Sequence, residues 1–353
     1  MTNWQKLRDQ KISLEPFLVR EKVIHSLRAW FAQENFHEVD TPLMLTIPTT
    51  EAYYDLFETQ LKIFGHEPRA AYLAPSPELQ MKKLLAAGLE NIYQIGKCFR
   101  NGEGLGPQHQ TEFTMLEYYR QHHPYEKLMT DVEEIFRFLL HRIHPQQAPS
   151  NHTFIYQNHR YNLDRPFTRL RVAEVFFNYA GIDEKTLLDQ NLLLKKAIAK
   201  GYKVAAETTW EEIFNQILLN EIEPHLGQDQ PTILYEYPKQ QAALARLTPG
   251  KPQFADRFEL WVAGLEIANA YGELLDAQEQ ERRCQNEVSI NQELGKTHIT
   301  DYDHDFIAAL RDIKEPCSGL ALGVDRLAML FANVTDIRQL TFFPTDEILQ
   351  SSL

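Results

Sequence analysis

The sequence predicts an α+β fold, with hairpins and helices laid down in separate stretches rather than in strict alternation. Three observations carry this. Strand–turn–strand signals stand at 92–119 and 257–271, an amphipathic stripe runs from Pro16 to about Gln33, and an apolar strand, a glycine turn and a helix follow one another from Ser318 to Phe331. The 353 residues, 43% hydrophobic and 24% charged, suffice for a sizeable core without disulfides. A single domain over 1–353, with a helical insertion at about 145–230, is the expected organisation.

The first helix rests on Val23, Ile24, Leu27, Trp30 and Phe31, which recur every three or four residues. Glu38-Val39-Asp40-Thr41 then alternates like a strand until Pro42 stops the ladder. A second helix is expected from Pro77 to Ala87, with Ser76 ahead of it and proline at the favoured first helical position. Ile92–Arg100 and Phe113–Tyr119 read as paired strands joined by a mobile glycine-rich loop, Asn101 to Gln110. In the insertion, Thr209 and Glu212 form a capping box ahead of Ile213, Ile217 and Leu218, and Pro224 closes that helix.

Next comes the hairpin Arg257–Val262, Ala263-Gly264, Leu265–Tyr271. A two-residue turn pairs Trp261 with Glu266 and Leu260 with Ile267, so that Glu259 lies diagonal to Glu266 on one face. Two carboxylates so placed can hold Mg²⁺ together with phosphates, or can be a solvated acidic face; spacing alone favours the solvated face. An ideal strand turns Asn269, Tyr271 and Glu273 to the other face, so a shared site requires a bulge. The last signal, Ser318-Gly319-Leu320-Ala321-Leu322-Gly323-Val324-Asp325-Arg326, is suited to a phosphate: unpaired N–H groups at a helix start, a guanidinium in the first turn, and glycine for close approach. The same glycine spacing also serves packing.

A formal net charge of -13 argues against a chain built to grip a nucleic-acid backbone, tRNA included, and leaves a local basic patch open. Cys98, Cys284 and Cys317 are odd in number and widely spaced, as reduced thiols are. No membrane span and no signal peptide are read in the sequence, and a cytoplasmic location is expected.

Together these blocks resemble a known family. Phe36 to Pro42, the stretch from Phe99-Arg100 through Phe113-Thr114-Met115, and Gly319 to Arg326 resemble motifs 1, 2 and 3 of the class II aminoacyl-tRNA synthetases. Pro231 to Pro238 and Asp256-Arg257-Phe258-Glu259 are similar to the lysyl branch. The resemblance runs from about Pro16 to Pro344 and is least specific over 145–230. It implies an antiparallel sheet flanked by helices and a homodimer joined through the motif 1 helix. Motif 1 stands close to the first residue, so no anticodon-binding barrel is expected ahead of it. That narrows the resemblance to stand-alone lysyl paralogues, which join (R)-β-lysine to a lysine of elongation factor P. Ala321 agrees, standing where the tRNA-charging enzymes of this branch usually have glycine.

The resemblance implies ATP and Mg²⁺ as cofactors, a lysine-like diamine as substrate, and elongation factor P as acceptor. By the same resemblance Arg100 grips the α-phosphate, Arg326 the far phosphate, and Glu259 and Glu266 the magnesium. Phe113 stacks on adenine, and Asn101, Gly102, Glu103, His109, Gln110, Ile267 and Gly323 complete the ATP site. Ser76, Pro77 and Glu78 meet the substrate amine, while Glu117, Tyr119, Asn269, Glu273 and Ala321 line the rest of the amino-acid pocket.

Several residues depart from the family pattern. Gly102 stands where glutamate is usual, with Glu103 next to it; Pro107 and Gln108 replace basic residues; Gln110-Thr111 replaces Asn-Pro. Ala270 replaces a glycine, and Gly272 a larger polar residue. Two alternatives therefore accompany the ligase reading: a minimal lysyl-tRNA synthetase, and a non-catalytic sensor of amino acid or nucleotide.

Overall fold

The computed structural model describes residues 1–51, 55–146, 152–205, 207–296 and 299–350. Among these, nine strands join one sheet, in the order His37–Glu38, Asn91–Phe99, Glu112–Gln121, Cys317–Gly323, Leu265–Gly272, Lys251–Val262, Thr232–Pro238 and Thr168–Arg171, with Leu247–Thr248 beside Lys251–Val262. The centre is antiparallel, as expected. The two edges are not: His37–Glu38 runs parallel to Asn91–Phe99, and Thr168–Arg171 parallel to Thr232–Pro238. Both edge pairings join segments far apart in the chain, which local periodicity does not encode.

Register decides which side chains share a face. Leu116, Leu322, Ala268 and Leu260 form one cross-strand row, and Tyr118, Leu320, Ala270 and Phe258 the next. Both rows are buried beneath the helices Glu15–Gln33, Glu126–Ile143 and Val324–Ala332, whose Leu27, Phe31, Ile135, Phe136, Leu327 and Leu330 complete the main core. The alternate rows, on the opposite face, are Glu117, Ala321, Asn269, Glu259 and Tyr119, Gly319, Tyr271, Arg257. One face of the sheet is therefore core and the other is site.

The second hairpin contains the bulge that a shared site requires. Ala263 and Gly264 both have positive φ, 54° and 73°, the geometry of a tight two-residue turn. Trp261 pairs with Glu266 as expected, but Leu260 pairs with Ala268 rather than Ile267. Ile267 is the extra residue, and it returns Asn269 and Tyr271 to the face of Glu259 and Glu266.

The helix expected at 77–87 runs Glu78–Ala86, with Pro77 as the preceding cap rather than the first helical residue. The strand read through Thr41 shrinks to His37–Glu38. The region from 145 is not helical at once: residues 147–151 lie outside the described residues, a small hairpin follows at Thr153–Tyr156 and His159–Asn162, then the edge strand, and helices begin at Val172. Those helices build a second core around Phe176, Leu193, Trp210 and Phe214, closed by Leu234, Tyr237 and Trp261 of the sheet. The capping box at Thr209 forms, and Pro224 sits in a terminal 3-10 turn, Glu223–His225. Just after it, Gly227 (φ 67°) lies so close to the second hairpin that a β-carbon there would come within 2.5 Å of the Trp261 carbonyl oxygen.

The glycine-rich loop after Phe99, expected to be mobile, is instead pinned. Ile337 donates its N–H to the Pro107 carbonyl at 2.8 Å, and Thr345 donates its own to Gln110 Oε1 at 3.0 Å. The same C-terminal segment holds the first helix, Asn3–Arg8: Asn3 Nδ2 donates to the carbonyls of Arg338 and Thr341, and its N–H donates to Glu347. No helix among the described residues is long and apolar enough to cross a membrane.

Candidate active site

Two cavities meet on the polar face of the sheet. The larger, about 350 Å³, is lined by Arg100, Glu103, His109, Gln110, Phe113, Glu259, Glu266, Ile267, Gly323 and Arg326, among others. The smaller, about 60 Å³, is walled by Glu51, Ser76, Glu78, Glu117, Tyr119 and Glu273. Arg100, Met115, Asn269 and Ala321 belong to both and form the passage between them.

Arg326 is aimed by its neighbour. Asp325 accepts from Arg20 Nε at 2.7 Å and from the Thr114 N–H at 2.6 Å, locking the first turn of Val324–Ala332 to the strand Glu112–Gln121. The next side chain then crosses the large cavity: Arg326 Nη1 donates to the Glu266 carbonyl at 2.9 Å, Nε to the Gln108 carbonyl at 3.3 Å, and Nη2 meets His109 Nε2 at 2.8 Å. A guanidinium only donates, so His109 Nε2 accepts. Burial and the adjacent Arg326 charge hold His109 below its ordinary pKa, which keeps that nitrogen unprotonated. Arg100 lies over the Phe113 ring at 5.3 Å and pairs with Glu103 at 3.8 Å.

The two expected metal carboxylates face the same cavity. Glu259 accepts from Arg257 Nη2 at 2.7 Å and from Trp261 Nε1 at 3.1 Å, while Glu266 lies 3.7 Å from Arg326. Burial and then the neighbouring Glu259 raise the Glu266 carboxyl. A divalent ion would relieve that repulsion. Two carboxylates beside a cavity with room for phosphates fit the way Mg²⁺ is held, through one or two acids plus substrate oxygens. Among the described residues no cluster of three or more His, Cys, Asp or Glu could hold a metal unaided, so phosphates or waters would have to complete the shell of any ion held here.

The small cavity is a concentrated acidic site. Glu117 accepts from Tyr119 OH at 2.5 Å, and Asn269 Nδ2 donates to Tyr271 OH at 2.8 Å. Burial pushes Glu51 and Glu273 up to about 7, and Glu117 well above the usual carboxylate range. Desolvation disfavours the charged form of a carboxyl even where one cation stands nearby, so these groups are disposed to meet a further cation. Gly319 makes room here: a β-carbon would stand 2.3 Å from the Tyr119 ring and 2.5 Å from Glu273 Oε1.

Not every expected residue reaches a cavity. Asn101 and Gly102 turn toward Asp55: Asn101 donates its N–H to the Asp55 carbonyl, and a β-carbon on Gly102 would come within 2.6 Å of the Asp55 carboxylate. Pro77 caps the helix and borders neither space, while Ser76 Oγ accepts the Glu78 N–H at 3.3 Å. The departures sort the same way. Ala270 points its methyl into the core and leaves the pocket untouched, whereas Ala321 presents its methyl at the passage. Gly272 leaves space for the Asp256–Arg246 ion pair, against which a β-carbon would stand 2.9 Å away.

Four contributors were missed, among them Glu51 in the wall of the small cavity, which no sequence motif marked. Arg257, packed over Tyr237 at 4.5 Å, joins Glu259 to Asn269, and alternation with Glu259 along its strand was the available signal. Lys82, four residues after Glu78, pairs with both Glu78 and Glu273. Glu223, from the terminal turn of the insertion, is pushed up to about 7 by burial and by Glu259 and Glu266, and no local pattern links it to them.

Comparison with known proteins completes the description. Residues 2–347 match the family of class II tRNA synthetases (D, K and N). The elongation factor P–(R)-beta-lysine ligases of Hamiltonella defensa and Haemophilus influenzae are each 33% identical to this chain over 98% of it and 98% of their own length. The lysine–tRNA ligase of Chloroflexus aurantiacus is also 33% identical, over 94% of this chain but 65% of the longer relative.

Proposed function

The chain belongs to the class II tRNA synthetase family (D, K and N), and on that premise we propose that it is an AMP-forming ligase that activates a lysine-like diamino acid, (R)-β-lysine, and transfers it to a lysine of elongation factor P. One observation carries the reading. Arg100, Asn269 and Ala321 form a passage between a cavity furnished for phosphates and one furnished for ammonium groups. A diamino acid lying across it would have its carboxylate at the guanidinium and its amines among the acids.

In this reading ATP occupies the large cavity, with Arg326 and His109 at the outer phosphates, Arg100 at the α-phosphate and Phe113 beneath the base. Glu259 and Glu266 would hold Mg²⁺, whose charge would shield the phosphates. The amino-acid carboxylate attacks the α-phosphorus, the bond to pyrophosphate breaks, and an acyl-adenylate forms. The acceptor amine then attacks the acyl carbon, losing a proton as AMP leaves. The residues align two anions and stabilise developing charge, and no dedicated protein base is required. Glu78, Glu117 and Glu273 select the substrate, because an uncharged analogue leaves buried acids unmatched.

The printed names of the two ligases, each 33% identical to this chain over 98% of it, support elongation factor P as the acceptor. A single domain acting as a homodimer is part of the proposal. Leu43, Met44, Ile47, Ile63 and Phe64, all exposed and in or close in sequence to the strands of a three-stranded sheet, Met44–Leu45, Arg69–Leu73 and Glu58–Leu61, supply apolar surface for it. The deciding experiment is ATP–pyrophosphate exchange with α-lysine and each β-lysine enantiomer, followed by intact mass of elongation factor P. Exchange best with (R)-β-lysine and a matching mass gain is the expected result. Label on tRNA and none on the factor overturns it, and binding without exchange would leave a sensor.

A further inference from the structure

Behind the acids of the small cavity stands a buried ammonium. Lys82, on the helix Glu78–Ala86, is 1% exposed, and its Nζ lies 2.6 Å from Glu78 Oε1 and 2.5 Å from Glu273 Oε2. The acid proposed for the substrate amine and an acid of the pocket's far end are therefore no farther apart than those two contacts laid end to end. The rings of Tyr119 and Phe306 flank the ammonium at 5.9 and 6.0 Å. Burial works against the Lys82 charge, but Glu273 and Glu78 outweigh it and hold its pKa above the ordinary value.

We infer that Lys82 is a positioning residue of the amino-acid pocket, a resident ammonium that holds the Glu78 and Glu273 carboxyls together and offsets part of the negative charge gathered there, so that an incoming ammonium meets aligned acids at a lower electrostatic cost. This rests on the function proposed above and adds a residue to it. The reasoning is one of charge. Glu51, Glu78, Glu117 and Glu273 crowd one small cavity, and acids so close and so buried suppress one another's ionisation. One fixed cation offsets part of that. It touches one oxygen of each partner, and a carboxylate has about four lone-pair sites, so neither acid is used up. A buried ion pair is weak grounds for stability by itself, because desolvation cancels most of the attraction. The position of Lys82 behind the pocket wall, in contact with two of the acids that line it, gives the pair another use. The remaining titratable groups near it, Tyr119 on the sheet, Cys317 on the adjoining strand and Cys284 on the helix Ala277–Glu293, are pushed up by burial and stay neutral near pH 7.

The test is pyrophosphate exchange across pH with the wild type, Lys82→Gln and Lys82→Arg. Glutamine keeps a donor and removes the charge; arginine keeps the charge. Lys82→Gln is expected to raise KM for the diamino acid by about tenfold or more, and to displace the acidic limb of the kcat/KM profile about one unit upward, since uncompensated acids ionise later. KM for ATP should stay put, and Lys82→Arg should restore the profile. A glutamine variant with unmoved KM and unmoved limb overturns the inference, as does an equal loss for ATP, the mark of general damage. Should Lys82→Gln not fold, the arginine variant decides: a wild-type limb supports the inference and a displaced one overturns it. A wild type with no exchange on any diamine overturns the proposed function itself.

Discussion

At the scale of single residues, the site depends on what small side chains leave open. Gly319 sits in the row Tyr119, Gly319, Tyr271, Arg257, where even a methyl would collide with Tyr119 and Glu273. Gly319→Ala is expected to lower stability by about 1–3 kcal/mol through overpacking and to raise KM for the amino acid well before KM for ATP, as thermal melts and exchange kinetics would register. Ala321 is the opposite case, a methyl standing at the passage. Ala321→Gly is expected to change the ratio of kcat/KM for α- and β-lysine by about tenfold to a hundredfold, the worth of a methyl-sized change in a pocket. An unchanged ratio would move selectivity to another residue. Most groups in contact with either cavity were legible, because the resemblance supplies Arg100, Glu117 and Arg326 position by position. Lys82 was not, since Glu at i and Lys at i+4 is the pattern of an ordinary exposed helix pair. Only the packing of the helix against Glu273 distinguishes it.

At the scale of elements, the second hairpin decides what the site contains. Its bulge at Ile267 lets Glu266, Asn269 and Tyr271 share a face. The sequence required such a bulge without revealing its place, because an extra residue leaves no mark on local alternation and is fixed by pairing with the strands on either side. The helical region is tied to this hairpin through Gly227: Ala263 donates its N–H to the Gly227 carbonyl at 2.8 Å, and Gly264 its own to the Leu226 carbonyl at 3.1 Å. Gly227→Ala meets a left-handed backbone and a carbonyl oxygen at 2.5 Å together. It is expected to cost about 1–3 kcal/mol and to increase hydrogen exchange in residues 223–227 and 261–266. Protection unchanged in that stretch would mean the tie does not restrain the hairpin. The edge strands show the other limit of sequence reading. Each pairs in parallel with a segment remote in the chain, so neither their direction nor their partner is written locally.

For the whole molecule, buried acids set a pH dependence whose sign can be worked out. Glu51, Glu223 and Glu273 keep their protons up to about pH 7 when folded, whereas in the unfolded chain they release them near the ordinary value of 4.5. Between those limits the folded state binds more protons, so stability falls as pH rises. The formal charge of -13 pushes the same way by self-repulsion. Melting temperature is therefore expected to decline from about pH 5 to about pH 7, with a flatter slope in Glu273→Gln. A diamino acid should flatten it too and release protons on binding, which titration calorimetry in buffers of different ionisation enthalpy would measure. A rising slope over that window would contradict the desolvation of these three groups.

The C-terminal segment gives the molecule a mechanical linkage. One stretch of chain, 337–347, grips both the first helix, through Asn3, and the loop that helps line the larger cavity, through Pro107 and Gln110. A load applied to residue 1 is thus transmitted to the loop. Tethering the protein by its amino terminus to a sensor surface should speed nucleotide dissociation, whereas a tether on the exposed side of the helix Gln190–Ala199 should not.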